Sequence, residues 1–281
     1  MPVLKPQSSA RRWFIIEHQR RQCDSQDLKI IFSPTAPLSK KLWADPAYGI
    51  ITQKNLYRKI KNHMIKNLNL ATTQICERFR GYLPVVVDVE TAGFDPQKNA
   101  LLEIGAYFID LDENGVFRVG DSLHFNVKPF EGAEINSNSV QFIGIDPFDP
   151  LREAGDEADV IKEFSKAVSK KVKEKKCTRA IMVAHNAHFD HSFIMNAVNR
   201  CNYKRCPFHP FSSIDTASLA MVLLGHTVLS KACEIAGIEY DTTRAHGALY
   251  DAGITAELFC KMLNSYGEML IALQTKGTDS E

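Results

Sequence analysis

The stretch Val85-Val86-Val87-Asp88-Val89-Glu90-Thr91-Ala92-Gly93-Phe94 constrains the fold more tightly than any other part of this 281-residue chain. An apolar, β-branched run of this length reads as a buried strand, and it carries two carboxylates at its end. Side chains alternate across a strand, so Asp88 and Glu90 share one face while Val87 and Val89 pack on the other. Carboxylates that close repel and raise one another's pKa unless a cation sits between them. The pattern predicts a buried strand that ends in a divalent-metal site.

Composition narrows the setting. With 44% hydrophobic and 24% charged residues, the chain suits one α/β domain plus an appendage, or at most two small domains. A formal net charge of +1 provides no global field, so attraction to nucleic acid has to come from local basic clusters. The seven cysteines (Cys23, Cys76, Cys177, Cys201, Cys206, Cys233, Cys260) form no CxxC pair, which argues against a disulfide framework or a zinc ribbon and for a reducing compartment. No apolar run approaches the ~20 residues of a membrane span, and Trp13-Phe14-Ile15-Ile16 is too short for a signal-peptide core. A soluble, cytoplasmic protein with no membrane partner is expected.

Residues 1–71 show no strand alternation and carry the basic pairs Arg11-Arg12, Arg20-Arg21 and Arg58-Lys59. Three readings stand for this extension: a flexible basic arm that helps bind RNA, a small docking element, or translated upstream sequence ahead of an alternative start at Met64. A foldable domain is expected over 72–270, with a tail at 271–281. Within it, Thr72–Gly81 reads as a short helix displaying Arg78 and Arg80. Strands are expected at Leu83–Glu90, Leu101–Leu111 and Leu123–Val127, the last two joined by the turn Asp112-Glu113-Asn114-Gly115. Short helical and turn signals follow near Ser137–Phe142 and Ile145-Asp146-Pro147. A helix over Ala158–Lys175, with Ile161, Phe164, Val168 and Val172 on one face, crosses over to a parallel strand at Ala180–Ala184. Further helices are expected after His188, up to Leu224, over Leu229–Ala236 and over Ala248–Leu263, with a short strand at Ser213–Asp215. Three antiparallel opening strands followed by parallel ones make a mixed α/β sheet flanked by helices.

Four acids can meet in this architecture: Asp88 and Glu90 at the end of the first strand, Asp190 beyond the fourth, and Asp251 in the last helix. His246 lies five residues before Asp251, and on one helix the two would point ~140° apart, so His246 belongs to a loop or first turn. The motifs Asp88-Val89-Glu90-Thr91, His185-Asn186-Ala187-His188-Phe189-Asp190 and His246-Gly247-Ala248-Leu249-Tyr250-Asp251 resemble those of the DEDDh family of 3′ to 5′ exonucleases. The segments Arg78–Tyr82, Phe142–Pro147, Cys206–Phe211 and Leu229–Cys233 look like one RNA-processing branch of that family. The resemblance covers about Cys76 to Leu263 and implies a ribonuclease H-like fold. It also implies that Asp88, Glu90, Asp190 and Asp251 hold two Mg²⁺ ions ~3.5–4 Å apart, with Mn²⁺ as an alternative, and that His246 is the base that takes a proton from the attacking water.

The same resemblance makes Phe94, Phe142, Phe189 and Phe211 the rings that stack on the terminal bases, at ~1–3 kcal/mol per base. Without the resemblance, a Phe in an α/β domain reads first as core, although Phe94, on a Gly-flanked turn beside Glu90, reads as functional. Arg78, Arg80, Arg179 and Lys204 match an RNA-binding patch that, in this branch, serves the active site of a second subunit, so a homodimer is implied. The lysine run at Lys170–Lys176 reads as a solvated helix face whose charges complement the helix dipole. One departure is Asn138, where the branch places an acid near the stacking rings; this puts the preference for the terminal base in doubt. His185, His188 and His191 read as hydrogen-bonding or surface residues and Asp215 as a helix cap. The expected partners are 3′ ends of tRNA and other structured RNAs. The competing readings are an oligoribonuclease, a single-stranded DNA exonuclease, and a non-catalytic RNA-binding module.

Overall fold

A computed structural model describes residues 43–45, 49–51 and 72–275. The chain divides into two compact units, residues 1–60 and 61–281. In the first, β1 (Trp43–Asp45) pairs antiparallel with β2 (Gly49–Ile51), Trp43 opposite Ile51 and Asp45 opposite Gly49. The extension therefore contains a strand pair where no alternation was expected, built with the β-favouring Trp43, Ile50 and Ile51. The basic pairs and Met64 lie outside the described residues.

The second unit is organised on the strand that the valine run predicts. β3 (Tyr82–Thr91) is central in a five-stranded sheet, flanked by β4 (Leu101–Leu111), β5 (Phe117–Asn126), β6 (Arg179–Ala184) and β7 (Phe208–Asp215), in the order β5-β4-β3-β6-β7. The β3–β4 and β4–β5 pairs are antiparallel, and β3–β6 and β6–β7 are parallel. Leu83, Val85, Val86, Val87 and Val89 are all buried although neighbours point to opposite faces, so both faces of β3 are covered.

Among the described residues, the α-helices of this unit are α1 (Ser137–Ile143), α2 (Glu157–Glu174), α3 (His188–Arg200), α4 (Thr216–Leu224), α5 (Leu229–Ala236) and α6 (Ala248–Thr275). On one face, Ile161, Phe164, Val168 and Val172 of α2 form the expected buried stripe, with Phe164 6.1 Å from the Phe125 ring of β5. On the other, α6 lies across β3, β4 and β5, where the buried Ala248, Ala252 and Ala256 let its backbone come close. No single helix among the described residues is long and apolar enough to cross a membrane.

Several elements differ from expectation for local reasons. Instead of one helix over Thr72–Gly81 there are two 3-10 turns, Ile75–Glu77 and Phe79–Gly81. Phe79, Arg80 and Gly81 have φ of 46°, 61° and 78°, a left-handed run that no α-helix contains. The segment is held by packing instead, with the Phe79 ring 5.7 Å from Phe117 and 6.1 Å from Phe259. β5 begins earlier than expected because Asp112 closes the hairpin, accepting from the Asn114 and Val116 N–H groups. β7 is longer because a register shift lets this edge strand carry Pro210. The last helix runs on to Thr275, five residues into the expected tail.

Candidate active site

Asp88 and Glu90 leave the sheet together near the carboxyl end of β3, on the face that α6 covers. Across β4, Asp88 pairs with Gly105 and Glu90 with Glu103. Gly105 decides how near the helix can come: a Cβ there would lie 2.1 Å from the Ala248 carbonyl oxygen and 2.5 Å from the Leu249 nitrogen. With only hydrogen in that place, the first turn of α6 rests on the sheet and Asp251 faces the two strand acids. One carboxylate oxygen from each of Asp88, Glu90 and Asp251 lies within 4.8 Å of the others.

Asp190 arrives from a different direction. The β3–β6 ladder ends at Val86–Val183, and past it the Val89 N–H donates to Asp190 Oδ1 at 3.1 Å, so a side chain continues where the strand stops. The turn leading to Asp190 is tied down by Asp215, whose Oδ1 accepts from the Asn186 and Ala187 N–H groups at 2.9 and 3.3 Å. The same carboxylate caps α4 by accepting from the Ala217 and Ser218 N–H groups. Asp215 is thus the expected cap and also a clamp on the second motif.

The cluster is held against its own electrostatics. Burial, followed by the charges of Asp190, Glu90, Asp251 and Glu103, pushes the Asp88 pKa well above the usual carboxylate range. Burial followed by Glu103 and Asp251 raises Glu90 to about 8, and burial raises Asp190 to about 7. Burial also raises Asp251, opposed by the His246 N–H, which donates to its Oδ2 at 2.9 Å. Asp251 Oδ1 is buried and accepts no hydrogen bond among the described residues. Clustered oxygen donors, raised pKa values and an unsatisfied buried carboxylate oxygen together fit a hard divalent cation.

His246 lies in the loop before α6 at φ 67°, off the helix as its spacing from Asp251 required. Its ring is 4.4 Å from that of Phe142, which is 70% exposed on α1. Phe94 is 81% exposed on the turn after β3, with Phe189 6.4 Å away edge-on. That turn is built tightly: a Cβ at Gly93 would lie 2.3 Å from Asn99 Oδ1, and Asn99 is itself held by the Asp95 N–H and the Glu134 carbonyl. Phe211, 82% exposed, lies at the β7 bulge with its ring 4.5 Å from that of His209.

An exonuclease family model of the RNase T type matches residues 85–259. Ribonuclease T of Vibrio cholerae is 55% identical over 191 residues, 68% of this chain and 85% of that one. Ribonuclease T of Escherichia coli K12 is 52% identical over 198 residues, 70% and 92% of the two chains. The chain belongs to the ribonuclease T family. Membership makes it a 3′ to 5′ exoribonuclease, a phosphodiester hydrolase, with an acidic cluster consistent with a metal site. A solved 3′-exonuclease recognising a histone mRNA stem-loop shares the fold at 18% identity (TM-score 0.54, 76% of this chain and 72% of that one).

Against that ribonuclease T background, the basic residues sit far from the acids. Arg179 pairs with Tyr82 at the opening of β3, and Asp88 lies six strand steps beyond Tyr82, ~20 Å at strand spacing. Arg80 is exposed there with its guanidinium over the Tyr82 ring at 5.5 Å, and Lys204 is exposed on the α3–β7 connection. Arg78 differs: it is 9% exposed and lies 4.7 Å over the Phe117 ring, a packing position. In the lysine run, Lys171 bonds Asp121 at 2.7 Å. His185 bonds Thr216 Oγ1 and the Thr227 carbonyl, His191 bonds the His209 carbonyl, and His188 is exposed. Glu103 and Gly105 escaped the sequence reading. The signal available was an acid and a glycine interrupting the apolar run Leu101-Leu102-Glu103-Ile104-Gly105-Ala106, but their pairing with Glu90 and Asp88 needs the register.

Proposed function

We propose that this exoribonuclease trims the 3′ ends of tRNA and other structured RNAs one nucleotide at a time, releasing nucleoside 5′-monophosphates. The observation that carries the reading is the convergence of Asp88, Glu90 and Asp251 beside exposed Phe94 and Phe142. With Asp190 they would hold two divalent ions, Mg²⁺ or Mn²⁺, which when bound supply Lewis acidity at the scissile phosphate and charge to offset the leaving 3′ oxygen. The ring of His246 accepts a proton from the attacking water, and its loop position leaves the imidazole free to reach it. Phe94 and Phe189 offer faces for the last bases, Phe142 borders them beside His246, and Phe211 extends the apolar surface from the bulge.

Arg80, Arg179 and Lys204, with Arg78 packed behind them, form the RNA-binding patch. At ~20 Å along the strand from the acids, that patch serves the active site of a second copy in a homodimer. Asn138, exposed on α1 four residues before Phe142, removes a charge from the base-reading rim and relaxes the choice of terminal base.

The test is an end-labelled tRNA with extra 3′ nucleotides, incubated with and without EDTA. The expected result is a ladder of single-nucleotide steps that stops at the duplex stem and vanishes with EDTA. Binding without products would overturn the reading in favour of a non-catalytic RNA-binding module, and equal cleavage of single-stranded DNA or dinucleotides would reassign the substrate.

A further inference from the structure

Glu103 sits where an acid should be unwelcome. It faces Glu90 directly across the β3–β4 pair, and like charges so placed are destabilising. It also raises the pKa of Glu90 and Asp251. Yet Glu103 is not one of the three acids that converge, because both of its oxygens are engaged elsewhere. Oε1 meets Nε2 of His124, and Oε2 accepts from the Ala248 N–H at 3.4 Å.

Those two partners give the carboxylate a mechanical task. Ala248 is the first residue of α6, where backbone N–H groups lack helical partners and need an acceptor. His124 of β5 pairs with Gly105, so Glu103, Gly105 and His124 lie on one face of adjacent strands, beneath the first helical turn. Asp251 is three residues after Ala248 in that turn, and its Oδ2 takes the N–H of His246. Whatever holds Ala248 in place therefore sets both Asp251 and the loop bearing His246.

We infer that Glu103 and His124 are a positioning pair that seats the first turn of α6 and so presents Asp251 to the metal site. Neither touches substrate. His124 orients the Glu103 carboxylate from the sheet edge, Gly105 gives the helix room, and Glu103 anchors its first N–H. The inference rests on the proposed metal-dependent reading.

The test uses metal-stripped, full-length protein and calorimetric titration with MgCl₂ and MnCl₂, beside steady-state kinetics on the tailed tRNA. Removing a residue that orients a metal ligand costs roughly 10–100-fold in metal affinity, and that loss is expected for Glu103→Ala, with kcat reduced and KM for RNA unchanged. Glu103→Gln keeps a carbonyl oxygen for the Ala248 N–H and should stay within a few-fold of wild type. His124→Ala, at an exposed edge position, should weaken metal binding less than Glu103→Ala and in the same direction. Wild-type affinity in Glu103→Ala, or an equal loss in Glu103→Gln, would overturn the inference, the latter because charge rather than anchoring would then be the cause. If Glu103→Ala does not fold, His124→Ala and Glu103→Gln decide, and wild-type metal affinity in His124→Ala overturns it. A wild-type protein that binds no metal would instead refute the proposed function.

Discussion

At the carboxyl end of β3, carboxylates are driven together, with helix, sheet and backbone donors all engaged in holding them; at the opposite end, Arg80 and Arg179 stand exposed in water. The contrast is one of preorganisation. The acid end is set by tertiary contacts that cannot move independently: Gly105 under Ala248, Asp190 on the Val89 N–H, and the His246 N–H on Asp251. The basic end depends on side chains that keep their hydration, apart from Arg78, which has been drawn into packing on Phe117. Chemistry needs the first kind of site, and sliding contact with a phosphate backbone needs only the second.

Substitutions at the two ends should therefore differ in size and kind. The largest effect is expected from Asp251→Asn or Asp88→Asn, since each removes a proposed ligand from a set already short of countercharge. Single-turnover rates on tailed tRNA should fall further than the roughly 10²–10⁴-fold expected for His246→Ala, which removes only the proposed proton acceptor. Phe94→Ala comes next, weakening RNA binding by ~1–3 kcal/mol with little change in the rate of bound substrate. The smallest effect belongs to the basic end. Arg80→Ala and Arg179→Ala should each lower the slope of log Kd against log salt by about 1, leaving the chemical step intact. Unchanged slopes would make these arginines structural and remove the basis for a second subunit.

The acid end was the more legible of the two, because strand alternation puts Asp88 and Glu90 on one face and the resemblance of the third motif brings Asp251 to them. The sheet's connectivity was readable for a similar reason: an apolar run, a hairpin turn at Asp112–Gly115 and a helical stripe at Ile161–Val172 each carry a local period. What sequence concealed depends on register or on backbone geometry. Glu103 is an acid in a strand until pairing puts it opposite Glu90, and His124 is an edge residue until it meets Glu103. Arg80 looked helical, but a left-handed backbone at Phe79–Gly81 prevents it. Phe211 reads like the other three phenylalanines in sequence, and only the register shift shows that it sits on a β7 bulge against His209.

The proposed metal centre requires that buried, mutually repelling carboxylates form a cation site. A group with a folded-state pKa raised above its unfolded value stabilises the protein most at low pH and loses that contribution as pH rises through the raised value. For Glu90, ordinarily near 4.5 and here about 8, the window is about pH 4.5–8, and for Asp190, ordinarily near 3.8 and here about 7, it is about pH 3.8–7. Thermal melts of metal-stripped protein across pH 5–8, with and without Mg²⁺, measure this directly. The expected result is a Tm that falls with rising pH without metal, a large recovery with Mg²⁺ at pH 8, a small one at pH 5, and little response in Asp251→Asn. A Tm indifferent to Mg²⁺ at pH 8, or an Asp251→Asn variant that responds as wild type does, would rule out a cation site at these carboxylates.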